Sequence, residues 1–262
     1  MPEGHTLHRL ARSLNEDLAG EPLAASSPQG RFEAGAARLD GRALDRAEAY
    51  GKHLFAWWGA DVLHVHLGLY GTWRRQPVPP EPPVGQVRLR LTGDRWSYDL
   101  RGPTRCDLVG PAERDAALAR LGPDPLHRSA DPERMWRRLS RSRAPVGAAL
   151  LDQSVVAGIG NVLRAELLFL VGVHPSRPAR DVNRLTFDAL WAVTVAQLRR
   201  ALRSGRIITV DPKEVGRPLS RLRQEEGRYV YKQEVCRRCG TPVQRWQLGA
   251  RTAYACPRCQ PS

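Results

Sequence analysis

A chain of 262 residues, 42% of them hydrophobic, is long enough for two domains with their own cores and too apolar to be disordered overall. Its 41 Lys and Arg against 27 Asp and Glu give +14, unevenly spread: residues 1–120 hold 16 cationic and 15 anionic side chains, residues 121–262 hold 25 and 12. The opening residues include Glu3 and no apolar stretch, and no run reaches the length of a membrane span, which argues against a signal peptide or a membrane protein and leads to the expectation of a soluble, cytoplasmic chain.

Leu7, Leu10, Ala11, Leu14 and Leu18 recur at helical spacing, so an amphipathic helix is expected almost at once. Beyond Gly51 the period becomes two, with Val62, His64 and His66 alternating with Leu63, Val65 and Leu67, and Val87, Leu89 and Leu91 alternating with Arg88 and Arg90. These are strands. Gly93-Asp94 has the chemistry of a tight hairpin turn, and Pro77 to Pro83 is too proline-rich for a sheet interior and reads as a loop. Residues 1–121 are therefore expected to form a β-sandwich or flattened barrel with helices at its edges.

Gly122-Pro-Asp-Pro125 breaks this pattern, and helical periodicity begins near residue 130. Helical stretches are expected at Met135 to Leu139, at Val146 to Val155 and at Asn161 to Leu170, with Leu163, Leu167 and Leu170 on one face. Thr186 is read as the cap of a longer helix carrying Leu190, Thr194, Leu198, Ala201 and Leu202. Residues 204 to 230 are polar and punctuated by Gly and Pro, and are expected to be a mobile loop. The domains are drawn at 1–121, 122–230 and 231–262, an α+β chain overall.

Four of the five cysteines form two pairs, Cys236-Arg-Arg-Cys239 and Cys256-Pro-Arg-Cys259, separated by 16 residues. Each pair can aim two thiolates at one ion, and the intervening stretch suits a β-hairpin that brings the pairs together. Two disulfides or a redox dithiol are the competing uses, and the spacing favours a single structural zinc. Four sulfurs leave no open position for water. The surplus of +13 in residues 121–262 fits a surface that tracks a phosphate backbone, although an arginine-rich solvated face would have the same composition.

Two further segments can carry chemistry. Leu151-Asp-Gln-Ser-Val-Val-Ala-Gly158-Ile-Gly160-Asn161 reads as a turn between helices, with Asn161 as a cap; such glycines let a backbone approach a phosphate, or serve only as a connection. Pro2 follows Met1, and removal of that methionine would leave a secondary amine. A chain-terminal amine has a pKa near about 8, against about 10.4 for lysine, so near neutrality part of it is nucleophilic. It can attack a sugar's anomeric carbon, with the Glu3 carboxylate moving protons. From these two residues alone an ordinary helix-initiating start is the simpler reading. His64 and His66 are read as structural strand residues without a third ligand nearby in sequence, and Cys106 as a small core residue.

Met1-Pro-Glu-Gly4, Gly51-Lys52, Gly122-Pro-Asp-Pro-Leu126, Leu151-Asp-Gln153 with Gly158-Ile-Gly-Asn161, and a four-cysteine hairpin with Arg251 before its second pair resemble the formamidopyrimidine-DNA glycosylase and endonuclease VIII family. The opening Pro-Glu-Gly and Leu69-Tyr70 resemble the endonuclease VIII branch, particularly its actinobacterial second type. The resemblance implies an N-terminal β-sandwich with flanking helices, a helix-two-turns-helix DNA-binding domain and a C-terminal zinc-finger hairpin, with DNA held between domains. It also implies roles: Pro2 as Schiff-base nucleophile, Glu3 as proton donor or acceptor, Lys52 in β-elimination and phosphate binding, Asn161 with Gly158 and Gly160 at the phosphodiester, and Arg251 clamping it while supporting δ-elimination. Leu69 and Tyr70 would fill the gap left by an extruded base.

The chain departs from the family at two points. His5-Thr6 stands where the family has Pro-Glu, which removes a second N-terminal carboxylate, and Gly68 opens the Gly68-Leu69-Tyr70 wedge without a side chain. Extruding a base costs a few kcal/mol, so a weakened wedge favours single strands, bubbles or preformed abasic sites. The reading is a monomeric, bifunctional DNA glycosylase and AP lyase acting on damaged DNA at the nucleoid, for oxidised pyrimidines and abasic sites. Oxidised purines are the alternative substrates, and a non-catalytic zinc protein that binds DNA is the alternative class.

Overall fold

The computed structural model describes residues 2–216, 218–223 and 225–261, and the chain divides into two compact units, Met1–Arg120 and Leu121–Ser262. The first unit opens with α1 (Gly4–Leu18), β1 (Pro22–Ser26), α2 (Glu33–Leu39), β2 (Arg42–Ala43) and β3 (Arg46–Tyr50). It continues through β4 (His53–Trp58), β5 (Asp61–His66), β6 (Thr72–Pro77), β7 (Val87–Thr92), β8 (Trp96–Arg101) and β9 (Arg105–Val109) to α3 (Pro111–Ala119). Two antiparallel sheets result, ordered β2-β1-β7-β8-β6 and β3-β4-β5-β9. Leu23, Leu89, Leu91 and Leu100 from the first and Leu54, Leu63 and Val65 from the second share one core, so the unit is a β-sandwich.

Leu7, Ala11, Leu14 and Leu18 form the buried stripe of α1, as their spacing predicts, and join the same core. Asn15 pins this helix to β3: its Nδ2 donates to the Ala47 carbonyl at 2.8 Å, and the Ala47 N–H donates to its Oδ1 at 2.6 Å. The start of the helix, and with it Pro2 and Glu3, is thereby held in a fixed direction. In β5 both faces are covered, because Val62 packs with Phe55, Trp57 and Val109 against Leu118 of α3. Gly93-Asp94 lies in the β7–β8 turn, where Gly93 N–H donates to the Trp96 carbonyl at 3.0 Å. Pro77, expected in a loop, ends β6; an edge strand tolerates it because no neighbour on that side needs its missing N–H.

The second unit contains α4 (Pro132–Leu139), α5 (Val146–Ala149), α6 (Asn161–Leu170), α7 (Arg184–Ser204), α8 (Pro212–Val215), β10 (Gln244–Leu248) and β11 (Arg251–Ala255). The segments expected as separate helical and zinc-finger domains both lie within it. Every residue of α6 from Asn161 to Phe169 is buried, so it is the central helix of this core rather than a one-faced surface helix. The helix expected over 146–155 stops at Ala149, and the Asp152 carboxylate accepts the Ser154 N–H at 2.8 Å in the turn that follows. Short polar side chains offer the backbone this local alternative to helix. The cap of α7 is Asn183, whose Oδ1 accepts the Thr186 N–H at 2.8 Å; Thr186 is the third residue of the helix and supplies a donor, not the cap.

The segment 204 to 230, expected to be a mobile loop, is anchored in the core near both of its ends. Ile207, Ile208, Val210, Leu222, Tyr229 and Val230 are buried in the same core as α6. Glu166 of α6 fastens the end of the segment: its buried carboxylate accepts backbone N–H groups from Tyr229 at 2.7 Å, Val230 at 2.9 Å and Tyr231 at 2.8 Å, and the hydroxyl of Thr209. A carboxylate with several such donors is well compensated for its burial, and the three successive amides form an anion-binding nest. Among the described residues no helix is long and apolar enough to cross a membrane.

Candidate active site

Pro2 is half-buried at the start of α1 and lines an open groove with Thr6, Arg9 and Leu10 of the helix and Leu67, Gly71 and Thr72 across from it. Glu3 is fully buried, and its carbonyl accepts the Thr6 N–H at 2.9 Å as the first turn closes. A carboxylate there stands at the positive end of the helix dipole. Thr6, at the position of the missing second carboxylate, lines the groove. His5 points into the protein, where burial lowers its pKa to about 4 and keeps it neutral. Met1, on whose removal a free amine depends, lies outside the described residues.

Lys52 occupies the second position of a two-residue turn between β3 and β4, whose flanking residues Tyr50 and His53 pair across the ladder. Gly51 takes the first position at φ 57°, the left-handed conformation that primed hairpin turns require. The sheet then does what sequence distance concealed, setting His53 of β4 beside His64 and His66 of β5. His53 Nδ1 and His64 Nε2 are 2.8 Å apart, and the His53 and His66 ring centroids 5.0 Å. Burial lowers the pKa of His53 to about 4 and of His64 to about 3; His66 is lowered by burial and then by the Lys52 charge. His53 is thus the neighbour that sequence reading missed. Period-two alternation was the available signal, since residues facing each other in an antiparallel hairpin share a face. The three rings form a packed cluster; among the described residues the four cysteines, not these histidines, bring three or more ligand atoms together.

His66 also shapes the turn after β5. Its Nδ1 accepts the Gly68 N–H at 3.1 Å, and Gly71 N–H closes the turn on the Leu67 carbonyl at 2.9 Å. The turn leaves Leu69 half-buried and Tyr70 86% exposed. An aromatic side chain with no partner surface of its own is available to stack on something else. Gly68 has φ 67°, and a Cβ there would collide with the Thr104 methyl, so the backbone itself demands glycine. Gly68→Ala is expected to lower unfolding free energy by about 1–3 kcal/mol in chemical denaturation, and a loss below roughly 0.5 kcal/mol would show the turn to be plastic.

In the second unit Asn161 does not cap α6; Gly160 does, and Asn161 is the first helical residue. Its side chain instead turns to the hairpin, with Nδ2 donating to the Thr252 carbonyl at 3.1 Å. Gly158, at φ 95°, donates its N–H to Gln153 Oε1 at 3.0 Å, while Gln153 Nε2 donates to the carbonyls of Leu151 and Ile159 at 2.9 and 3.1 Å. Gly158 and Gly160 are buried and shape this turn. Arg251 is half-buried at the head of β11, directly after the two-residue turn Gly249-Ala250, in which Gly249 has φ 63°. Lys52 and Arg251 are therefore both presented by glycine-first hairpin turns.

The four cysteine sulfurs lie within 4.8 Å of one another and are the one such group among the described residues. Cys239 Sγ is 3.4 Å from Cys256 Sγ and 3.6 Å from Cys259 Sγ, and Cys236 Sγ is 4.0 Å from Cys259 Sγ. A tetrahedral zinc with four Zn–S bonds of about 2.3 Å sets S···S near about 3.8 Å, so the quartet fits a structural zinc and none of these contacts is a disulfide. Burial pushes the Cys236 thiol up to about 11 and the Cys259 thiol higher still, while the contact with Thr241 holds Cys239 down at about 6. A cation among them is what would keep all four deprotonated. Gln260 ties this knuckle down: the Cys256 N–H donates to its Oε1 at 3.1 Å and its Nε2 donates to the Val173 carbonyl at 2.8 Å.

A β-sandwich headed by Pro-Glu, a helical unit with a Gly-x-Gly-Asn turn and a four-cysteine hairpin define a class of DNA-repair protein. The chain matches the Formamidopyrimidine-DNA glycosylase N-terminal domain over residues 1–106, the Formamidopyrimidine-DNA glycosylase H2TH domain over 121–213 and the zinc finger found in FPG and IleRS over 233–261. It belongs to the formamidopyrimidine-DNA glycosylase and endonuclease VIII family, whose members are DNA glycosylases with AP lyase activity. It is 47% identical to Endonuclease 8 1 of Mycobacterium tuberculosis, over 99% of this chain and 100% of the relative. It is 31% identical to Endonuclease 8 of Escherichia coli over 99% and 100%. The second-type assignment drawn from the opening motif is narrower than these relatives show. In fold it is similar to Lactococcus lactis Fpg in complex with N7-benzyl-Fapy-dG DNA, with a TM-score of 0.85 and 22% identity over the whole of both chains.

Proposed function

We propose that this enzyme removes oxidised pyrimidines and cuts at abasic sites through a Schiff base on the imino nitrogen of Pro2 once Met1 is removed. The carrying observation is that Pro2 lines an open groove beside the turn bearing Leu69 and Tyr70, with the Glu3 carboxylate buried next to it. The nitrogen lone pair attacks C1′ of the extruded nucleotide, the glycosidic bond breaks, and the base leaves with a proton for which Glu3 is the donor. The Pro2 nitrogen then loses its proton, O4′ takes one up as the C1′–O4′ bond breaks and the sugar ring opens, and the iminium so formed acidifies the C2′–H. Loss of that proton, with Lys52 assisting, expels the 3′ phosphate; loss of the C4′ proton then expels the 5′ phosphate, and hydrolysis frees Pro2. Asn161 and Arg251 would hold the phosphodiester, within a unit whose sequence carries 25 cations against 12 anions.

The endonuclease 8 relatives support the pyrimidine reading, and the Formamidopyrimidine-DNA glycosylase of Synechococcus, 34% identical over 77% of this chain, keeps oxidised purines as the second. A wedge turn whose first position must stay glycine favours substrates that need little extrusion, namely single strands, bubbles and abasic sites. The enzyme would act as a monomer in the cytoplasm at the nucleoid, with one zinc per chain. The test is borohydride reduction of methionine-free protein with DNA carrying an abasic site, an oxidised pyrimidine or an oxidised purine, single- and double-stranded. An adduct mapping to Pro2 with the first two substrates is expected. A mobility shift without an adduct would leave only a DNA-binding protein, and faster excision of the purine would reverse the substrate order.

A further inference from the structure

We infer that Arg164 is a positioning residue for strand cleavage, because its buried guanidinium, together with Asn161, locks the backbone that presents Arg251. The inference rests on the proposed role of Arg251 as the phosphate clamp that supports δ-elimination. Arg164 is 1% exposed, on the central helix α6. Its NH2 donates to the Thr252 carbonyl at 2.7 Å, and Asn161 Nδ2 donates to the same oxygen at 3.1 Å. Residues three apart share a helix face, so the first turn of α6 grips one carbonyl with two donors.

A carbonyl oxygen has two lone pairs, and here both are engaged, one by a charged donor of the stronger kind. Thr252 follows Arg251 directly and pairs with Gln247 across the hairpin. The strand head is thus fixed on one side by its ladder and on the other by α6, and it cannot pivot about the Gly249-Ala250 turn. An apolar side chain of similar volume is often as stable as a buried cation at a site like this. A buried arginine here therefore has a use beyond packing. Its charge also lies in a low-dielectric setting under the helix start, where it adds to the attraction for an anion held by Asn161 and Arg251.

The predicted signature is a change of product, not only of rate. After β-elimination has broken the C3′–O3′ bond, loss of the C4′ proton must break the C5′–O5′ bond before the unsaturated sugar is hydrolysed from Pro2. A clamp that has shifted lets the intermediate escape at the β stage. On an abasic strand Arg164→Met is expected to lower the ratio of δ- to β-elimination product by about tenfold, since small misplacements of a positioning group have effects of this order. Arg164→Lys should recover part of it. The ratio is taken within each reaction, so loss of active protein does not alter it.

Arg251→Gln is run alongside, and the Arg164→Met/Arg251→Gln double variant should be no worse than Arg251→Gln alone, because both act through one group. If Arg251→Gln keeps δ-elimination, the clamp reading fails and takes the inference with it. If Arg251→Gln loses δ-elimination while Arg164→Met keeps the parental ratio, the inference fails by itself. Where Arg164→Met does not hold zinc, Arg164→Gln replaces it, with a fall of about threefold expected and a parental ratio as the overturning result.

Discussion

Protein in which the Pro2 nitrogen stays acylated, by a retained Met1 or a short leader, is expected to give no borohydride-trapped adduct and to cut abasic DNA at least about a thousandfold more slowly than processed protein. An amide nitrogen shares its lone pair with the carbonyl and cannot attack C1′. The processed nitrogen is a secondary amine with a pKa near about 8, so its reactive fraction should climb with pH through that range and level off above it. Pro2 lines the groove with Thr6, Leu67 and Thr72. Mass spectrometry of the starting protein and of the reduced adduct checks both halves. Scission at the parental rate from fully acylated protein would mean that another group forms the covalent bond.

Removal of zinc, by chelation or by Cys256→Ser, should weaken binding to abasic DNA by about a hundredfold or more while residues 1–120 keep their fold. Metal release from such a site forfeits a binding free energy on the order of 10–16 kcal/mol, and a lone two-stranded hairpin is at best marginal in water. Cys256 is fully buried and its N–H is bonded to Gln260, so the loss would spread into the contact with Val173. The sandwich has its own core, to which none of the four cysteines belongs. Anisotropy titration across a salt series and metal analysis read the binding; near-ultraviolet circular dichroism of the tryptophans Trp57, Trp58 and Trp73 reads the sandwich. Equal loss of both signals would contradict independent cores. Affinity lost as acid protonates the thiols, and regained with pH, is the sign expected of zinc linkage.

Both outcomes bear on residues that the sequence already picks out, because the chemistry needs particular residue types at particular spacings. Two C-x-x-C pairs, a Pro-Glu start and a Gly-x-Gly-Asn turn are local patterns. The same is true of the stripe Leu7, Ala11, Leu14 and Leu18, which is buried as its period requires, and of the alternation that marks β7, whereas β5 alternates in sequence but is covered on both faces. Period and spacing report which side of an element will be buried, since that depends only on residues a few positions apart.

What the period cannot report is the partner. The stretch 146–155 has helical composition, yet Asp152 and Gln153 bond the nearby backbone and the helix ends at Ala149. Residues 204 to 230 look like a loop until Glu166, more than sixty positions away from Tyr229, gathers the amides of Tyr229 and Val230 together with that of Tyr231. His53 meets His64 and His66 only when β4 and β5 pair. Arg164 would pass for one more helical cation were its guanidinium not on the Thr252 carbonyl. The residue types and the ends of the catalytic and zinc motifs were thus written locally, whereas burial of polar groups was decided by long-range contacts. A polar side chain can be interior only where the fold brings it a partner, and that partner is seldom a neighbour in sequence.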